Sequence, residues 1–114
     1  MTEYHTPGKT TVTTEVLLTI ARMTALEVEG VSRMAPVKAK GVNGLFTRGD
    51  GVLIETEDNL VVVDIHLVVE DGVNIREVSR TVQAHVARAI AEMTGMEVTR
   101  VNVHIEDINY PPEA

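Results

Sequence analysis

Four side chains capable of chemistry fall at alternate positions of two apolar stretches: Asp64 and His66 in LVVVDIHLVVE, and His104 and Glu106 in VTRVNVHIEDI. Two imidazoles and two carboxylates form a donor set that zinc or another divalent cation accepts. Their spacing, however, is only the period of two that every strand produces, and an exposed sheet face needs polar side chains in any case. Asp64, His66, Asn102 and His104 are therefore read as an open-face contact surface, and neither a metal nor another cofactor is expected. Ser32 and Ser79 sit in no nucleophile-elbow context, and no Gly-rich loop with a phosphate-binding lysine follows a strand. His85 lies beside the apolar stripe of a helix and reads as a boundary residue, while His5 belongs to a polar N-terminal arm. No catalytic residue is assigned, and the chain is expected not to be an enzyme.

A second constellation is electrostatic. Between Val31 and Gly49 the basic residues are Arg33, Lys38, Lys40 and Arg48, with no acidic residue, although the chain as a whole carries a net charge of -7. The same segment holds Leu45 and Phe46, the latter the single phenylalanine. A loop with a basic flank and an apolar tip suits an anionic membrane surface or a protein partner. Lys38, Lys40, Leu45, Phe46 and Arg48 are accordingly the candidate partner or membrane contacts. The alternative for Leu45 and Phe46 is that they fold back and cap the core. Within this segment Gly41-Val42-Asn43-Gly44 matches the GxxG of a KH module, which defines an RNA-binding alternative. A KH GxxG joins two helices, whereas this one is expected between extended pieces.

These residues must be positioned by the elements around them. In Leu60 to Glu70 the positions Val61, Val63, Ile65, Leu67 and Val69 are apolar, the alternation of a half-buried strand. Val98 to Ile108 repeats it with Val101, Val103 and Ile105. Between the two strands, Ile75, Val78, Val82, Val86, Ala89, Ile90 and Met93 recur at steps of three and four, an apolar helical stripe. Asn74 followed three residues later by Glu77 caps its start, and Gly95 supplies its stop. Strand, long crossover helix and strand predict a right-handed βαβ unit with parallel strands. Upstream, Thr13 reads as the N-cap of a helix running to about Glu27, with Gly30 ending it. Lys9 to Thr13 is expected as a short edge strand and Val31 to Ala35 as a brief extended piece. Gly51 to Glu57 is a strand turned by Glu57-Asp58-Asn59 into the central one. The fold class is α+β: a two-layer α/β sandwich with a mixed sheet of three to five strands and both helices on one face. The uncovered face should then carry Glu55, Asp64, His66, Arg100, Asn102, His104 and Glu106. Residues 1–8 are expected as a flexible arm, 9–108 as one domain and 109–114 as a tail.

Composition sets the limits. A chain of 114 residues suits one domain with a single modest core. No run approaches the roughly 20 apolar residues of a membrane span, and no secretory signal is visible. With no cysteine, disulfides, thiolate metal sites and thiol nucleophiles are excluded, and cytoplasmic residence is the expectation. The acidic balance and an aromatic content of 3% oppose nucleic-acid binding.

Taken in order, the chain resembles the alkaline-shock-protein family of envelope stress proteins of Gram-positive bacteria. The similarity is carried by Gly8-Lys9 and Thr13 to Leu17 with Ile20-Ala21, by Glu27 to Val31, and by Gly44-Leu45-Phe46 and Gly51-Val52. It continues through Val61 to Asp64, Gly72 to Ile75 with Glu77-Val78, Met93 to Gly95 with Glu97-Val98, and Val101 to Ile105. Asn74 to Glu77 departs from the serine, isoleucine, proline and glutamate common in the family, and the central loop is short. The resemblance implies a non-enzymatic protein gathered near the membrane through a partner that is often membrane-anchored. It also implies self-association, and it brings no catalytic residue.

Overall fold

The computed structural model describes residues 12–37, 47–49 and 51–112. Helix α1 spans Thr14–Glu27, followed by strand β1 at Val31–Met34. Strands β2 (Thr47–Gly49), β3 (Val52–Glu57) and β4 (Leu60–Glu70) come next, then helix α2 (Ile75–Thr94) and strand β5 (Glu97–Asn109).

Each helix starts where its cap predicts. The Thr13 hydroxyl accepts from the Val16 amide at 3.4 Å, and the Asn74 side chain accepts from the Glu77 amide at 3.0 Å. Such bonds satisfy amide groups that a helix's first turn leaves without partners. At the far end of α2, Gly95 adopts φ 76° and its amide donates to the Ala91 carbonyl. That is the left-handed stop a glycine takes at no steric cost.

The five strands form one mixed sheet organised around β4. On one side β5 runs parallel to it for its full length, so β4, α2 and β5 make the expected βαβ unit. The other side is shared: β3 pairs antiparallel with Leu60 to Ile65, and β1 pairs antiparallel with Leu67 to Val69. The handover falls at His66, whose amide donates to the Gly51 carbonyl at 2.8 Å and whose carbonyl accepts from the Ala35 amide at 2.9 Å. Strand β2, beyond β3, was not foreseen: a three-residue Thr-Arg-Gly strand has no periodicity to read.

Both helices cover one face. Leu17, Ala21 and Ala25 of α1 and Val78, Val82, Val86 and Ile90 of α2 meet Val52, Ile54 and the odd-numbered residues Val61 to Val69 in a single core. The alternation read in β4 therefore separates core from open face as expected. Two expectations are corrected. Val12 and Thr13 precede α1 outside any strand, because the Thr13 side chain is committed to capping; Lys9 to Thr11 lie outside the described residues. The second face is also not bare throughout. Val68 is buried there because Ala35 and Pro36, continuing β1, pass across that end of β4 and line a hollow with it.

Candidate functional site

The open face brings together the residues that the strand alternation places on it. In the parallel register Asp64 lies opposite Asn102, and His66 opposite His104. Asp64 Oδ1 accepts from Asn102 Nδ2 at 3.0 Å and from His104 Nε2 at 3.1 Å. His66 Nδ1 donates to Glu106 Oε2 at 2.6 Å. Because carboxylates accept, the two imidazoles carry their protons on different nitrogens, Nδ1 in His66 and Nε2 in His104. The rings stack with centroids 4.5 Å apart and planes 16° from parallel. Five side chains from two strands are thus tied into one ladder on the sheet surface.

Burial differs along this ladder. The His66 side chain is 16% exposed, whereas Glu106 is 47% exposed. Most of the His66 ring is covered, and Glu106 presents its carboxylate from the solvent side. A β-bulge explains Glu106's reach: the register shifts between Leu67 and Val68, so that Ile105 and Asp107 are the paired residues and Glu106 is left over. Bulges of this kind re-aim side chains. The hollow beside them, about 340 Å³, is lined by Arg33, Ala35, Pro36, His66, Val68, Glu106 and Asp107. Glu106 was foreseen on this face; Arg33 and Asp107 were not assigned to the site, since their placement depends on the β1–β4 pairing and on the bulge.

The donor set does not converge. Among the described residues no three His, Asp or Glu side chains are grouped to hold a metal ion. Each imidazole is turned toward a different carboxylate, and stacking holds the rings side by side instead of around a common point. The ladder is a preorganised hydrogen-bonding surface. Its internal strength is testable: a double-mutant cycle with His66→Ala and Glu106→Ala should give a coupling of about 1 kcal/mol. The exposed Asp64–His104 pair should give about half that or less. Urea denaturation of the four proteins in each cycle measures both, and equal couplings would contradict the difference in burial.

Of the basic-loop candidates, Lys38, Lys40, Leu45 and Phe46 lie outside the described residues. Arg48 is placed in β2, opposite Leu53 of β3. The described elements on either side of Gly41 to Gly44 are strands β1 and β2, not the two helices that a KH GxxG joins. His85 is on α2 at an exposed position outside the core, away from the ladder on the opposite side of the sheet. No described helix is long and apolar enough to cross a membrane.

Over residues 2–110 the chain matches the alkaline shock protein 23 family, described by a cell envelope-related function. It is 33% identical over 110 residues to the uncharacterized protein YqhY of Bacillus subtilis (strain 168), an alignment covering 94% of this chain and 82% of that protein. Its identity to the uncharacterized protein Spy1535 of Streptococcus pyogenes serotype M6 is 32% over 108 residues, with the same shares covered. A second protein of that organism, Spy1614, is 30% identical over 99 residues, covering 82% of each chain. No solved structure matches. With nearly its whole length accounted for by one family and with relatives in two Gram-positive species, the chain belongs to the alkaline shock protein 23 family, whose function is cell envelope-related.

Proposed function

We propose that the protein is a non-enzymatic, cytoplasmic interaction module that works close to the membrane and supports envelope homeostasis through contacts with a membrane-anchored protein. The observation that carries this reading is the ladder on the open face. Asp64, Asn102 and His104, with His66 and Glu106, form a fixed array of donors and acceptors on a rigid sheet. A partner that docks on such an array meets side chains whose geometry is already set, so little ordering entropy is lost on binding. The His and carboxylate groups are spent on one another, which favours recognition over turnover. In sequence, Arg33, Lys38, Lys40 and Arg48 form a basic run without an acidic residue in an otherwise acidic protein, a composition suited to anionic headgroups around the partner's anchor.

Affinity capture with tagged protein from detergent-solubilised membranes tests this. One membrane protein should be recovered by the wild type and lost, at least tenfold, with Asp64→Ala/His104→Ala in a still-folded variant. Leu45→Ser/Phe46→Ser and a Lys38, Lys40 and Arg48 to glutamate variant test the loop's share, read as membrane association. Recovery that is indifferent to every one of these changes would reject the module as drawn. Salt-dependent retention of RNA by the purified protein would instead favour the KH-like alternative, despite the strands on either side of its GxxG.

A further inference from the structure

The C-terminal end of β5 leaves apolar side chains in solvent. Ile75, the first residue of α2, is 40% exposed, and Tyr110, just past the strand, is 65% exposed. With Ile105 and Ile108 they line a shallow hollow of about 370 Å³, and its two remaining lining residues are Glu106 and Asp107. The bulge builds this arrangement. A regular strand sends consecutive side chains to opposite faces, but the register shift leaves Glu106 unpaired between Ile105 and Asp107. As a result both carboxylates line this hollow and the open-face one alike. Both are held in place: Glu106 is bonded to His66, and Asp107 Oδ1 accepts from the Ile108 amide at 2.7 Å.

The charge around this corner is mostly of one sign. Glu70 and Asp71, with Asn109 and Pro111, line a further hollow at the same end of β5. Neither hollow has a basic residue in its lining. Arg76 follows Ile75 on α2 and Arg33 lines the open-face hollow, two cations against four carboxylates. Anionic headgroups and nucleic-acid phosphates are repelled by such a rim, and a second copy brings a net charge of -7 to a surface already acidic. A segment rich in Lys and Arg is attracted to it. Segments of that composition flank the cytoplasmic ends of membrane anchors.

We propose that the hollow at the end of β5 docks a cationic juxtamembrane segment of a membrane-anchored protein. One aliphatic or aromatic side chain of that segment covers Ile75, Ile108 and Tyr110, and flanking Lys or Arg residues meet Glu106 and Asp107. Their methylene stems lie on the apolar lining, and the exposed Tyr110 ring offers its face to a cation. The inference rests on the membrane partner proposed above and adds the partner's chemistry and its place of binding.

The probe is a fluorescein-labelled peptide with Leu-Trp between two Lys/Arg triplets, followed by anisotropy. Asp107→Lys and Ile75→Ser/Tyr110→Ser should each raise its dissociation constant by at least about tenfold, as should replacing Leu-Trp in the peptide by two serines. Glu97→Lys, the same change of charge at the other end of β5, should raise it less than about twofold. Circular dichroism checks the fold of each variant, and Tyr110→Ser alone, beyond the last strand residue, replaces the double variant if that fails to fold. Equal losses for Glu97→Lys and Asp107→Lys, or no loss with the serine variants, mean that the peptide senses net charge only and overturn the proposal. Tighter binding to phosphatidylglycerol vesicles than to the peptide gives the hollow to lipid and overturns it too. So does a halving of the mass in light scattering with Ile75→Ser/Tyr110→Ser, which gives it to a second copy. In membrane capture, a protein lost with Asp64→Ala/His104→Ala but kept with Asp107→Lys leaves the partner standing and removes it from this hollow. Peptide binding that tracks the hollow while no membrane protein is captured upholds the hollow's preference for a cationic segment and rejects the membrane partner.

Discussion

Gly51→Ala is expected to lose about 3 kcal/mol or more of stability, on the order of 15 °C in melting temperature. Gly51 has φ +75°, and a Cβ built on it would stand 2.8 Å from the Ala35 carbonyl oxygen, 2.9 Å from Met34 Cβ and 3.0 Å from the His66 carbonyl oxygen. Two of those neighbours are backbone carbonyls, and the His66 one already accepts from the Ala35 amide where β4 passes from β3 to β1; they cannot step aside as a flexible side chain would. Gly95 provides the comparison. Its φ is nearly the same, +76°, yet nothing lies within 4 Å of the added carbon. Gly95→Ala should therefore cost only the left-handed conformation, about 1 kcal/mol. Thermal unfolding of the two variants separates strain from collision, and equal losses would mean that the junction at Gly51 yields without cost. The junction also holds the His66 backbone in place, so Gly51→Ala should speed hydrogen exchange at the His66 amide more than at Val61.

Leu67→Ala should cost about 3 to 4 kcal/mol, and Leu60→Ala less than about 1 kcal/mol. Both leucines belong to β4, and both changes remove the same atoms. Leu67 is completely buried, whereas Leu60 is 42% exposed at the strand's start. Leu67 sits in the core formed with both helices, so its truncation leaves a cavity in addition to the lost transfer free energy. Close packing on all sides prevents the surroundings from filling that space. Chemical denaturation of the pair tests whether β4 is the centre of stability, and similar losses at the two sites would refute it.

The elements with a strong period were legible before any tertiary structure. Val61 to Val69 alternate and are buried; Val78, Val82, Val86 and Ile90 follow a helical step and are buried. Asn74, Gly95 and Thr13 act through bonds within their own turns, which is why their positions alone announced them. The polar face was legible for the same reason: a period of two puts Asp64, His66, Asn102 and His104 on one side. Strand β2 was hidden because three residues carry no period.

What the sequence by itself determined is therefore local: two helices with their caps, the long strands, and which side of each strand is apolar. Hydrophobic alternation and capping are properties of neighbouring residues, and no distant partner is needed to read them. Only the tertiary structure decided the rest. Parallel pairing of β4 with β5 set His66 over His104 and Asp64 beside Asn102, and a register one residue away would have exchanged the two faces of β5. The bulge that frees Glu106 to reach His66 depends on how two strands 40 residues apart accommodate one extra residue. The sharing of one edge of β4 between β1 and β3 makes Gly51 indispensable through the Ala35 and His66 carbonyls and the Met34 Cβ, atoms that lie far from it in the chain. Contacts between distant segments arise only when the core closes, and they turned a list of polar residues into a ladder.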